Sequence, residues 1–157
     1  MDLTLRLAAA DEAEVIWQVT HQAYLPDRDR LHPPSGVFRE TVEDVCRAMQ
    51  DGAIHVAELD GTIVGAVRTR PHEQEDALYC GRLAVLPSAR RAGIGSALMD
   101  CVERHGLALA YRAVVLGVRL ELPENLRFYQ RLGYQITGEE RHPGFDHPTF
   151  LWMRKEL

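Results

Sequence analysis

The sequence predicts a mixed α/β (α+β) fold in which about seven strands form one sheet with about four helices on its two faces, within a single domain over residues 1–157. Three observations predict it. Strand-length apolar runs alternate with stretches whose apolar residues recur at the 3.6-residue spacing of a helix face, in the order β-α-α-β-β-β-α-β-α-β-β. Asp60-Gly61 stands between two of those runs, a strong short-range hairpin signal. No repeat, linker or low-complexity block interrupts a chain whose 46% apolar content suffices for one core.

The elements follow in order. Residues 3–7, LTLRL, alternate as a first strand. Asp11 is placed to cap a helix over about 12–24, with Ala13, Ile16, Trp17, Thr20 and Tyr24 on its inward stripe. Residues 25–37 are polar and proline-rich and predict a loop. A second helix runs from Glu40 or Thr41 to Gln50 with Val42, Val45, Cys46 and Met49 inward, and Asp51-Gly52 closes it. AIHVAEL (53–59) and TIVGAVRTR (62–70) are the hairpin strands, and His55, alternating with apolar neighbours, reads as a half-buried sheet residue rather than a catalytic one. After a polar turn over 71–76, a strand runs from Ala77 to Val85, and Pro87, which cannot donate to a ladder, ends it. The next helix carries Ile94, Ala97, Leu98, Cys101 and Val102 on one face and Asp100, Glu103 and Arg104 opposite, and Gly106 is expected to stop it. A strand over 113–118, a helix from Pro123, a strand over 134–140, the turn HPGFDHP and a closing strand from Thr149 complete the chain.

Composition narrows the function. A formal net charge of −5 argues against nonspecific affinity for nucleic acid or membranes, which select basic surfaces, and it permits a cationic substrate. Cys46, Cys80 and Cys101 are odd in number, far apart and without CxxC spacing, so neither a disulfide framework nor a metal site is expected. The acidic N-terminal stretch is not a signal peptide and no run has transmembrane length, so a cytoplasmic enzyme is the expectation.

The chemistry concentrates in residues 83–106, LAVLPSARRAGIGSALMDCVERHG. Gly93 and Gly95 fall where the helix begins, so bare backbone N–H groups at the positive end of the helix dipole would point outward together. Arg90 and Arg91 add guanidinium groups suited to phosphate oxygens. The turn reads as a pyrophosphate cradle built mostly from main chain. It lacks the Lys of a Walker A loop, and Leu98 occupies the third small position of a dinucleotide fingerprint, which makes Glu121 a weak candidate for a ribose-binding acid. A glycine-softened helix start with two solvated arginines is the competing reading of the turn alone.

Arg90, Gly93 and Gly95 after a strand ending Leu-Ala-Val match R-x-x-G-x-G, and this resembles the coenzyme A motif of the GNAT superfamily, the GCN5-related N-acetyltransferases. PENLRFYQRLGY (123–134) resembles the family's second signature, with Asn125, Phe128, Tyr129, Gly133 and Tyr134 in register. The resemblance implies the GNAT fold, a mostly antiparallel central sheet, and acetyl-CoA as cosubstrate. It places coenzyme binding on Leu83, Ala84 and Val85, on Arg90, Arg91, Ala92, Gly93, Ile94, Gly95 and Ser96, and on Asn125 and Tyr129. For Asn125, helix capping competes with a bond to the pantetheine arm.

The implied reaction is direct attack of an amine on the thioester, with unpaired backbone near Leu83 and Val85 polarising the carbonyl and Tyr129 as general acid. A phenol near pKa ~10 is matched to a departing thiolate, and a packing role beside Phe128 is the alternative. Gly81 stands where many relatives carry a Glu base; Glu73, Glu75, Asp76, Glu121 and His72 are weak substitutes. Arg82 would favour a substrate carboxylate if it faces the cleft, against a surface salt bridge. Residues 25–37 are expected to border the acceptor, which is a small-molecule or peptide amine. Family members commonly dimerise through their final strands, where exposed Phe150 or Trp152 would contribute. A noncatalytic acetyl-CoA sensor or interaction module is the alternative function, and a nucleotide-binding Rossmann-type protein is a remote third.

Overall fold

The computed structural model describes residues 2–72 and 76–157. Its strands are β1 (Leu3–Leu7), β2 (Ala53–Leu59), β3 (Thr62–Pro71), β4 (Ala77–Val85), β5 (Ala113–Arg119), β6 (Gln135–Glu140) and β7 (Phe150–Glu156). The helices are α1 (Ala13–Tyr24), α2 (Val42–Asp51), α3 (Ile94–Ala108) and α4 (Pro123–Arg131). One sheet joins the strands in the order β1-β2-β3-β4-β5-β7-β6. Every neighbouring pair is antiparallel except β4 with β5. A parallel pair needs a crossover, and α3 supplies it.

Strand alternation sends side chains to two faces, and a separate core forms on each. On one face Ile54, Val56, Ile63 and Ala66 pack with Ala13, Ile16 and Val19 of α1 and Val45 of α2. On the other, Val64, Val67, Leu78, Cys80, Val114 and Leu116 pack with Ile94, Leu98, Met99 and Val102 of α3. Those four α3 side chains are almost fully buried, worth roughly 1.5–3 kcal/mol each. The β2–β3 hairpin turns on Asp60 and Gly61, both with positive φ (51° and 83°), as the sequence motif requires.

Several elements differ from the sequence reading. Asp11 caps nothing: a 3-10 turn at Ala10–Glu12 precedes α1, and the Glu12 carboxylate accepts from the Ala9 N–H at 2.7 Å. In α1, Val19 and Ala23 are buried while Trp17 and Tyr24 lie half-buried at the rim. In α2, Val45 is fully buried and Val42 and Met49 pack against the same core, while Cys46 is exposed; the N-terminus is fixed by a Thr41–Asp44 capping box. Cys101 is half-buried, and the unforeseen Met99 takes the inner position on α3. Residues 25–39 wind into two 3-10 turns, Leu25–Arg30 and Gly36–Arg39. Gly106 does not stop α3. The helix runs through it to Ala108, and a Cβ there would lie 2.8 Å from Leu157 Cδ1, so this glycine admits the C-terminal residue to the core. Phe150 and Trp152 are half-buried, because Trp152 packs against Phe150, Tyr79 and His72 with its indole N–H on Glu140.

His55 is more deeply buried than expected, 6% exposed on β2. Its ring meets His105 of α3 edge-on at 4.9 Å, and Nε2 has no hydrogen-bond partner. Burial, with a smaller push from His105, pulls its pKa down to about 4. The unfolded chain therefore binds this proton from pH ~6.5 downward while the fold refuses it until about 4. Stability is expected to fall as pH drops across that window, by up to about 3 kcal/mol from this group, and to level off below it. Urea unfolding of wild type and His55→Phe at pH 7 and pH 4.5 checks this; an equal loss in both proteins would place the acid sensitivity elsewhere.

Candidate active site

The ladder between β4 and β5 is short. It pairs Ala77 with Ala113, Leu78 with Val114 and Tyr79 with Val115, and then the strands part. On its other side β4 stays paired to β3 as far as Val85. The cause is a bulge: Ala66 faces Ala84 and Arg68 faces Gly81, leaving Arg82 and Leu83 opposite Val67 alone. A bulge bends its strand and sharpens the local twist. Arg82 takes the bulge position with φ 53°, a conformation that costs a non-glycine residue about 1–3 kcal/mol and concentrates at functional sites. From Cys80 onward the β4 edge that faces β5 has no strand partner, and it carries Leu83, Ala84 and Val85.

The cradle lies just beyond. Gly93 is the N-cap of α3 with φ 74°, a left-handed position that glycine holds without strain, and no side chain caps the helix. The first helical bond across the cap runs from Ala97 N to Gly93 O, so the amides of Ile94, Gly95 and Ser96 precede the ladder. Ile94 is buried and offers only its amide; Ala92, Gly93 and Ser96 are exposed. At Gly95 a Cβ would sit 3.4 Å from the Phe128 ring, so α4 packs close over this turn. The two arginines differ. Arg90 donates to Val85 O through Nε (3.2 Å) and to Ala23 O through Nη2 (2.7 Å), so its guanidinium also latches the cradle to β4 and α1. Arg91 is exposed, itself at φ 72°.

On α4, Asn125 is exposed and does not cap the helix; Leu122 holds the N-cap position without a side-chain bond. Tyr129 lies edge-on to Phe128 (5.0 Å) and to Tyr134 (5.8 Å). Burial lifts its pKa well above the ordinary phenol range, and Cys80, Tyr24 and Tyr79 add smaller pushes. Tyr24 is pushed up to about 12 by burial, and its phenol also interacts with that of Tyr79. Tyr129 packs against the core that contains Cys80, and Tyr79 forms the last β4–β5 pair, where β4 leaves β5. Tyr24 adds the third phenol. All three stay protonated at neutral pH. Tyr134 is buried and donates to Glu103, which also accepts from Lys155.

The segment before α2 is strapped to the β5–α4 corner. Arg30 pairs with Glu124 at 2.5 Å, the His32 N–H donates to Glu121 (2.8 Å), and the Arg119 guanidinium donates to Pro33 O. Glu121 therefore serves this strap.

The acceptor side departs most from expectation. A Cβ on Gly81 would meet Tyr79 Cε1 at 3.1 Å and its hydroxyl at 3.5 Å, so the Tyr79 ring occupies the space a side chain there would use. Of the proposed bases, Glu73 and Glu75 lie outside the described residues. Asp76 is exposed and pairs with Arg112, and His72 stacks with Tyr79 at 6.4 Å. Sequence reasoning missed Glu40, whose carboxylate is 10% exposed and held by Arg68 and by Arg82 Nε (3.3 Å). It also missed Tyr79 and assigned Tyr24 only to packing. Their convergence depends on strand pairing, for which the local sequence holds no signal. Among the described residues no cluster of three or more His, Cys, Asp or Glu could hold a metal ion, and no helix is long and apolar enough to cross a membrane.

Comparison with known proteins agrees with this geometry. The chain is 34% identical over 87 residues to the N-acetylaspartate synthetase of Rattus norvegicus, a match covering 55% of this chain and 29% of that protein. It is 34% identical over 95 residues to the 5-NmdU N-acetyltransferase of Pseudomonas phage PaMx11, covering 59% of this chain and 64% of the phage protein. The matched segment thus spans under a third of the first relative. In overall fold it superposes on the PaiA N-acetyltransferase of Thermoplasma acidophilum, solved in complex with coenzyme A, with a TM-score of 0.83 at 16% identity over all of both chains. The sequence profile of the Acetyltransferase (GNAT) family matches residues 13–134, the span that holds the bulge, the cradle and Tyr129, and the chain belongs to that family.

Proposed function

We propose that this protein transfers an acetyl group from acetyl-CoA to a primary amine by direct attack, without a covalent enzyme intermediate. The observation that carries this is the opening of β4 from β5 beside the uncapped start of α3, with Tyr129 packed against the core that holds Cys80 and Ile94. The residues fit the cosubstrate: an uncapped helix start suits a diphosphate, and an unpaired strand edge suits the amides of a pantetheine arm. Acetyl-CoA supplies an activated thioester carbonyl. The main chain at Leu83 and Val85 polarises that carbonyl, stabilising the negative charge that develops on its oxygen. The amine nitrogen forms the new bond to the carbonyl carbon, the carbon–sulfur bond breaks, and the amine proton leaves to water.

Tyr129 donates to the departing sulfur. Because burial strengthens the phenol's hold on its proton, the hydroxyl stays protonated and able to donate, while complete proton transfer is harder than an unshifted phenol would make it. Relatives named for N-acetylaspartate synthesis and for 5-NmdU N-acetylation support amine transfer as the shared chemistry.

Titration calorimetry with coenzyme A, followed by thiol release from acetyl-CoA with a panel of amines, tests the proposal. Binding and amine-dependent release are expected. Binding without release would favour the sensor reading, which Gly81 and its missing carboxylate keep distinct. No affinity for coenzyme A would overturn both.

A further inference from the structure

Resting on the acetyltransferase reading above, the acceptor side of the opening has a charge pattern that names its substrate class. The chain is acidic overall, with formal charge −5, yet Arg68 and Arg82 pair with Glu40 and Arg70 lines the same cleft. Glu40 binds Arg68 and touches Arg82 only through Nε. The terminal nitrogens of Arg82 extend instead over Gly36, where an added Cβ would come within 3.0 Å of Nη2. The bulge explains this aim, since φ 53° takes Arg82 out of the strand's alternation.

Arg70 has no ion-pair partner among the described residues, and its guanidinium lies 4.5 Å over the Tyr79 ring. Arg82 lines the same cleft as Arg70 and Tyr79. Together they line a cleft of about 360 Å³ that reaches Gly81, beside the opening of β4. Asp44 in that cleft is engaged by Arg47 and Thr41, and Asp51 is exposed on its rim. Next to it a cleft of about 760 Å³ shares Arg70 and Tyr79 and is walled by His72 and Trp152.

We propose that Arg70 and Arg82 hold a carboxylate of the acceptor, so that the substrate is a small amino acid rather than a plain amine. Guanidinium forks bind carboxylates through paired, charge-assisted hydrogen bonds. The Tyr79 hydroxyl, with no hydrogen-bond partner among the described residues, adds a donor to the same cleft. The carboxylate held there keeps the α-amine at the mouth of the opening, and the aromatic wall of Tyr79, His72 and Trp152 receives the side chain.

The test compares matched acceptors differing only in the carboxylate: L-phenylalanine, L-phenylalaninamide and phenethylamine, and L-methionine with L-methioninamide, each by thiol release from acetyl-CoA. The acids are expected to exceed their amides and the decarboxylated amine at least tenfold in kcat/KM. Arg70→Gln and Arg82→Gln are each expected to raise KM for the acids tenfold or more and KM for the amides less than threefold, with circular dichroism confirming the fold. Amides or plain amines used as well as the acids, or KM raised equally for both, would overturn the carboxylate assignment and leave acetyl transfer intact. No thiol release with any amine would overturn the transferase reading as well.

Discussion

Tyr129→Phe is expected to lower kcat by about 10²-fold or more while leaving the affinity for coenzyme A within about twofold. The magnitude is that of a positioned proton donor, about 10² to 10⁴. The separation of kcat from binding follows because the ring is kept: Phe preserves the edge-on contacts with Phe128 and Tyr134 and removes only the hydroxyl. Thiol-release kinetics beside calorimetry checks both halves. Unchanged turnover would reduce Tyr129 to a packing residue and move sulfur protonation to solvent or to another phenol, Tyr24 or Tyr79.

The largest effect on stability is expected at Gly52, where α2 ends and β2 begins. A Cβ there would fall 1.9 Å from Thr69 O and 2.9 Å from Thr69 C, so the clash is with the β3 main chain and no side-chain rotation relieves it. Because Ala53 pairs with Thr69, relief requires pulling β2 from β3 at the start of their ladder. Gly52→Ala should cost about 3 kcal/mol or more, at or above the upper range for overpacked sites. Gly138→Ala is the control. A Cβ there meets nothing within 4 Å, and its effect should stay within about 0.5 kcal/mol. Urea denaturation of both variants decides the matter; equal midpoints would mean that the α2–β2 corner yields more easily than its geometry implies.

The sequence exposed those parts of the site that depend on a residue's own backbone. Gly93 must sit at φ 74° and Asp60-Gly61 must turn a hairpin, and such demands leave glycine as a local mark. The order of strands and helices was legible for the same reason, since period and punctuation are local. Gly106 shows the limit. A glycine late in a helix serves as a terminator or as a space for something else, and only the arrival of Leu157 from the far end of the chain decides between them. The chemistry of Arg90 marks it as an anion partner, but its bond to the carbonyl of Ala23, 67 positions distant, has no local signal. The Glu40 ion pairs with Arg68 and Arg82 span 28 and 42 positions and arise only once a bulged strand lies beside α2. Arg82 was visible as a candidate carboxylate partner, but its pairing with Glu40 and its place beside Arg70 depend on such distant contacts.

The brevity of the β4–β5 ladder has a mechanical consequence. Four strands lie on one side of it and three on the other, joined across the sheet by three residue pairs. That seam is also where a cosubstrate would lodge, touching β4 with one part and α4 with another. A ligand that grips both margins stabilises their union by mass action and not the separated halves. Saturation should therefore rivet the two half-sheets, slowing amide exchange at Val114 and Val115 more than within the β2–β3 hairpin.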